Sequence, residues 1–180
     1  MHSLGTVWLS TRNLSLRRFV EEDIDSAYEN FGSDPETMRY INFSPCSTLE
    51  GARKFVHMHT HGYIWNPDFY GWAITLDGTL IGSIALFDVD LDNESAEIGY
   101  TIGSRWWGKG YASEAVKAVV DFAFGQVGLH RIQASYHPDN KASERVLEKA
   151  GFQYEGTLKD AQKGLDGSFT DLNLCALLSE

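Results

Sequence analysis

The stretch FYGWAITLDGTLIGSIALFDV, residues 69–89, constrains the fold more than any other part of the chain. Two apolar runs rich in β-branched and aromatic residues flank Asp77-Gly78. That dipeptide suits a tight turn, because both residues tolerate positive φ. The pattern predicts strand, turn, strand. A third strand is predicted over 95–102, where Ala96, Ile98, Tyr100 and Ile102 alternate with Glu97, Gly99 and Thr101. Then the period changes. From Tyr111 to Val127 the residues Ala112, Ala115, Val116, Val119, Ala123 and Val127 step by three or four, which predicts an amphipathic helix.

Weaker signals surround this frame. Residues 13–19 partly alternate and read as a first strand. EEDIDSAYENF, residues 21–31, puts Ile24, Ala27, Tyr28 and Phe31 on one helical face with acids in the first turn. Asp34-Pro35 reads as a capped helix start, and Thr48 to about His61 as a further helix. Residues 131–136 read as a strand, Lys141 to about Ala150 as a helix stopped by Gly151. Residues 152–159 and 168–178 read as strands around a turn at Asp166-Gly167. The order βααα-βββ-α-β-α-ββ is a mixed α/β (α+β) pattern, with a run of antiparallel strands and then strand–helix crossovers. With 180 residues and no linker-like or repeated segment, a single domain over 1–180 is expected.

Charge and composition exclude several classes. Lysine plus arginine total 15 against 25 acids, a net charge of -10. Broad polyanion binding needs the opposite sign, so no nucleic-acid partner is expected. Cationic partners, amines or basic tails, fit better, although charge of this sign also serves solubility. No apolar stretch is long enough to span a bilayer and no leader pattern opens the sequence, so a cytoplasmic location without a membrane partner is expected. Cys46 and Cys175 lie far apart and make no disulfide framework or zinc signature. Of His57, His59 and His61, the first and last share a helix face and the middle one does not, so no metal is expected.

The unusual stretch is TIGSRWWGKGYASEA, residues 101–115. Gly103-Ser-Arg-Trp-Trp-Gly108-Lys109 approaches a nucleotide-binding loop, but Gly110 stands where a Ser or Thr should hold magnesium. A dinucleotide fingerprint fails at Ser113. What remains is a glycine-rich turn between a strand end and a helix start. Unpaired helix N–H groups there attract phosphate, and glycines let backbone approach a ligand. A plain tight turn with buried tryptophans is the alternative.

Arg105-Trp106-Trp107-Gly108-Lys109-Gly110-Tyr111-Ala112 resembles the R/Q-x-x-G-x-G/A motif of the GNAT acetyltransferase family. Asn140-Lys-Ala-Ser143-Glu-Arg-Val-Leu-Glu148-Lys-Ala-Gly151-Phe152 is similar to the family's downstream N…S…lEk.GF segment. The separation of the two and the element order match as well. HRIQASYHPDNKAS, GF.YEGTLKD and the late DG hairpin look most like the RimJ/RimL-like branch, whose members acetylate N-terminal amines of ribosomal proteins; close relatives act on polyamines and other small amines.

That resemblance implies a mostly antiparallel sheet with two parallel strands splayed at a cofactor cleft, here 95–102 and 131–136, and helices on both faces. It implies acetyl-CoA as co-substrate. Backbone of Tyr100, Thr101 and Ile102 would meet the pantetheine arm. Amides from Trp107 through Gly108, Lys109, Gly110 and Tyr111 to Ala112 would hold the pyrophosphate, with charge from Arg105 and Lys109, and Asn140 would bond the cofactor. The acceptor would be an amine, a protein N-terminus among the candidates, and the chain a monomer or homodimer.

Acetyl transfer to an amine needs a base for the ammonium, donors for the developing oxyanion and a proton for the departing thiolate. Glu97, turned away from the apolar side of its strand, is the candidate base; a solvated strand residue is the alternative. Ser143 is the candidate proton donor, since it faces the side of its helix that carries Val146 and Leu147; a core serine bonding its own helix is the alternative. Many family members have a tyrosine where this chain has Leu147, and Tyr136 is a second phenol nearby. Asn140 also suits a helix N-cap. The expected reaction is direct attack in a ternary complex. The competing reading is a CoA-binding GNAT-like domain with a regulatory role.

Overall fold

The computed structural model describes residues 3–41, 46–164 and 167–180. Its frame is one eight-stranded sheet in the order β1-β2-β3-β4-β5-β6-β8-β7. The strands are β1 (Leu9–Ser10), β2 (Leu14–Arg17), β3 (Tyr70–Leu76), β4 (Thr79–Asp90), β5 (Ser95–Ile102), β6 (Arg131–Tyr136), β7 (Gln153–Lys163) and β8 (Phe169–Leu178). Every neighbouring pair is antiparallel except β5 and β6. The Asp77-Gly78 turn joins β3 to β4, with both residues at positive φ. β1 is a two-residue strand, too short for any periodicity to signal. The expected turn residue Asp166 lies outside the described residues.

Helices cover both faces. On one lie α1 (Asp23–Ala27), which continues as a wider turn over Tyr28–Gly32, then α2 (Pro35–Met38) and α3 (Leu49–Trp65). Asp34 caps α2 through the Glu36 N–H, and Thr48 caps α3 through the Gly51 N–H. α3 runs one turn past the expected end. Phe19, Phe31, Val56 and Ala73 form the core on this side. The other face carries α4 (Tyr111–Phe122) and α5 (Lys141–Lys149). Ala115, Val116, Val119 and Phe122 of α4 are buried against Trp72, Ile84, Ile98 and Ile132 of the sheet. Each large apolar side chain buried there contributes roughly 1.5–3 kcal/mol.

Two polar ties hold the N-terminal part to this frame. Arg17 makes a bidentate pair with buried Asp23 (2.7 and 2.8 Å). Glu114, in the first turn of α4, accepts from Thr11 Oγ1 and from both the backbone and side-chain amides of Asn13. No helix among the described residues is long and apolar enough to cross a membrane.

Candidate active site

β5 and β6 are paired over three rungs, Ser95–Arg131, Ala96–Ile132 and Glu97–Gln133. Beyond the third rung the ladder ends. Residues 98–102 and 134–136 then face one another across a gap, and their backbone groups on that side have no strand partner. The gap is a cleft of about 530 Å³, within the range of small-molecule and cofactor sites. Its walls include Tyr100, Thr101 and Ile102 of β5 and Ala134, Ser135 and Tyr136 of β6. Trp107, Gly108, Gly110, Tyr111 and Ala112 line one end, and Asn140, Ser143 and Leu147 line the α5 side.

The glycine-rich turn forms that first end. Gly108 and Gly110 both sit in the left-handed region, φ 75° and 85°, and a Cβ at either would meet nothing within 4 Å. Gly110 precedes α4 and provides no side-chain cap, while Glu114 N–H donates to the Gly110 carbonyl. The earlier N–H groups of α4 therefore have no acceptor within the helix, and this end carries partial positive charge. An anionic group fits there on both steric and electrostatic grounds.

The flanking residues divide in a way their spacing does not reveal. Trp106 packs against the core. Trp107 donates from Nε1 to the Ile102 carbonyl at 2.6 Å, so one side of that carbonyl is already engaged. Arg105 stacks on the Trp106 ring, 4.8 Å to its centroid, and donates to Asn30 Oδ1. Its side chain is drawn toward the end of α1 and is not part of the cleft wall. Exposed Lys109 is not part of that wall either.

At the other end, Asn140 caps α5 by accepting from the Ser143 N–H at 3.1 Å. Ser143 Oγ and the Tyr100 hydroxyl lie 2.8 Å apart, joining α5 to β5 across the gap. Burial pushes the Tyr100 phenol well above its ordinary pKa, against the opposing hydrogen bond from Ser143. Leu147 is buried one turn further along α5. The Tyr136 phenol, also raised by burial, lies 3.5 Å from Glu144 Oε1.

Glu97 is on the last paired rung and is not part of the cleft wall. Its Oε1 accepts from Ser135 Oγ at 2.6 Å and its Oε2 from Gln133 Nε2 at 3.2 Å. Ser135 itself lines the cleft. No Asp or Glu occurs among the described lining residues.

A third wall comes from α2 and the residues just after it, which no sequence motif marks as lining a cleft. Thr37, Tyr40 and Ile41 line the cleft, and the Tyr40 ring lies 5.0 Å from that of His137 at the end of β6. Asp34 fixes this wall to the glycine turn by accepting from the Ser104 N–H and from Thr37 Oγ1. Burial would raise the Asp34 carboxyl, but the hydrogen bonds from Ser104, Thr37 and Glu36 outweigh it and hold its pKa at about 2. The Asp34-Pro35 signal located the helix. Nothing local could show that it docks on residue 104, a contact seventy residues away.

The remaining reactive side chains lie elsewhere. The His57 and His61 rings stack 6.3 Å apart, while His59 is buried among Phe19, Phe55 and Phe69. Burial lowers its pKa to about 4. Burial also raises the thiols of Cys46 and Cys175, to about 12 and about 11. None of these five residues lines the cleft.

Comparison with known proteins bears on this geometry. Residues 13–153 match the family model described as acetyltransferase (GNAT) domain. The uncharacterized N-acetyltransferase p20 of Bacillus licheniformis is 34% identical over 171 residues, covering 94% of this chain and 95% of that protein. Among solved structures, an acetyltransferase of the GNAT family from Bacillus anthracis superposes with a TM-score of 0.81 at 29% identity, covering 96% of this chain and 98% of that one. RimL, a ribosomal-protein alpha-N acetyltransferase in complex with coenzyme A, superposes with a TM-score of 0.83 at 20% identity, covering 96% of this chain and 98% of that one.

Proposed function

This chain belongs to the GNAT acetyltransferase family, and from that premise we propose that it transfers the acetyl group of acetyl-CoA to a primary amine held in the same cleft. The observation that carries the proposal is the ending of the β5–β6 ladder at Glu97–Gln133. It opens a cleft of about 530 Å³ bounded by an uncapped helix start and by the Tyr100–Ser143 pair.

Acetyl-CoA, when bound, supplies the acyl carbon and a thiol leaving group. The residues present fit it. The open space over Gly108 and Gly110 admits a pyrophosphate to the amides of 107–112. Residues 98–102 offer backbone without a strand partner to the pantetheine amides, the Ile102 carbonyl through the lone pair that Trp107 leaves free. Asn140 has a second lone pair and an amide group beyond its capping bond. Ser143 is the proton donor to the departing thiolate, with the Tyr100 phenol behind it. Glu97 is the final proton acceptor. We read residues 1–180 as one such catalytic unit, acting by direct attack in a ternary complex without a covalent enzyme intermediate.

The acceptor is cationic before it loses its proton, which agrees with the net charge of -10. A protein N-terminal amine is the favoured class, because RimL acts on a protein alpha-amine and superposes over nearly the whole chain. A cytoplasmic location follows from the acetyl-CoA requirement of this reading. Free-thiol release from acetyl-CoA, measured with peptides, polyamines and small amines, tests the proposal. Amine-dependent release matched by acetylated product supports it. Coenzyme binding with no release on any amine overturns it in favour of a regulatory CoA-binding domain.

A further inference from the structure

We propose that Ser135 relays the proton of the attacking amine to Glu97, an inference that rests on the acetyl-transfer reading above. Glu97 is displaced from the cleft wall by one strand rung, whereas Ser135 is part of that wall. Alternation along β6 puts Ser135 on the same face as Gln133, the residue opposite Glu97 on the last rung. Its hydroxyl donates to Glu97 Oε1 at 2.6 Å, the short end of the range for O–H···O bonds and typical of a carboxylate acceptor. Gln133 engages the other carboxylate oxygen at 3.2 Å, so the acid is held from both sides. A hydroxyl whose proton is committed to a carboxylate keeps its oxygen lone pairs as acceptors. Ser135 Oγ is therefore placed to accept from an N–H in the cleft.

The step balances. An ammonium N–H bond breaks and its proton passes to Ser135 Oγ as the serine's own proton passes to Glu97 Oε1. Serine is unchanged and the carboxylate has gained one proton. The freed nitrogen lone pair forms the N–C bond to the acyl carbon. The C–S bond breaks, and sulfur takes its electron pair and a proton from Ser143. The acylated nitrogen releases its second N–H proton to solvent, and solvent returns a proton to Ser143, so the serine is restored and the amide is neutral. Among the described lining residues the one imidazole is that of His137, whose Nδ1 accepts from the Asp139 N–H at 3.1 Å and whose ring lies against Tyr40.

The test uses the full chain, acetyl-CoA and the best amine from the panel. General base catalysis is worth at least about 100-fold, so Ser135→Ala is expected to lower kcat by about that factor. KM for acetyl-CoA stays unchanged, which also reports an intact fold. Ser135→Thr, which keeps the hydroxyl, restores most of the rate. Ser135→Ala added to Glu97→Gln lowers it no further. The dependence of kcat on the fraction of deuterated water is curved for the wild type, with two protons in flight, and linear for Ser135→Ala. If Ser135→Ala is as fast as wild type while Glu97→Gln is slow, the relay is overturned and the acetyl-transfer reading stands. If both variants are as fast as wild type, the relay is overturned and the base is sought at His137. A wild type that releases no thiol with any amine overturns the acetyl-transfer reading and the relay with it.

Discussion

The Tyr100 hydroxyl and Ser143 Oγ lie 2.8 Å apart, linking the free end of β5 to the first turn of α5 at the edge of the cleft. Leu147 fills the position where a family tyrosine is common, and Tyr100 brings a phenol to the same region from the opposite wall. Because burial raises its pKa, Tyr100 stays protonated through the neutral range and beyond the ordinary phenol value of about 10. Ser143→Ala is expected to lower kcat by about 100-fold. Tyr100→Phe costs less, roughly tenfold, the worth of one hydrogen bond. Acetyl-CoA affinity, measured by calorimetry, changes little in either. Full activity in Ser143→Ala contradicts its role as proton donor.

Gly110 poses a separate steric test. Its φ of 85° is strained for most side chains, yet the space where a Cβ would project is open. Asparagine tolerates this left-handed conformation better than other residues. Gly110→Asn is therefore expected to keep the fold while its side chain occupies the space assigned to the pyrophosphate. A melting temperature near wild type with CoA affinity reduced more than tenfold is the expected result. Gly110→Val should lose both, because a β-branched residue at positive φ adds roughly 1–2 kcal/mol of backbone strain. Unchanged CoA affinity in Gly110→Asn contradicts the assignment of this turn.

Asp34 gives the fold a pH signature. Its carboxyl is depressed from 3.8 to about 2 in the folded protein. A depressed acid adds stability that is present above the unfolded value and lost as pH falls through the folded one. Asp34→Asn is thus expected to be about 1 kcal/mol less stable than wild type at pH 7, because an amide has one acceptor oxygen and no charge to offer the Ser104 N–H, Thr37 hydroxyl and Glu36 N–H. The gap should close between about pH 4 and pH 2. Denaturant melts at both ends of that window measure it. A gap that persists unchanged at pH 2 contradicts the role of the ionised carboxyl.

The frame of the molecule was legible because its signals are local. Asp77-Gly78 between apolar runs and the three-to-four spacing from Ala112 to Val127 each act over one turn or one hairpin. The cleft was placed through the resemblance of Arg105 to Ala112 and Asn140 to Phe152, and the observed splay runs between the two strands so named. What escaped were properties fixed by register and docking. Whether Glu97 reaches the cleft depends on where the β5–β6 ladder ends. Alternation shows which way Glu97 points but not where that rung falls, and the link through Ser135 depends on the rung. Arg105 matched the motif, but the chain's folding brings Asn30 beside it. Tyr40 and Thr37 enter through a contact between α2 and Ser104, and no short-range pattern encodes that.

The decisive experiment is the structure of this chain bound to CoA. The pyrophosphate is expected on the amides of 107–112 over Gly108 and Gly110. The pantetheine is expected along residues 98–102 and the sulfur at the splay, within hydrogen-bond reach of Ser143 Oγ. A coenzyme seated outside the β5–β6 gap, or with its sulfur remote from Ser143, would contradict it.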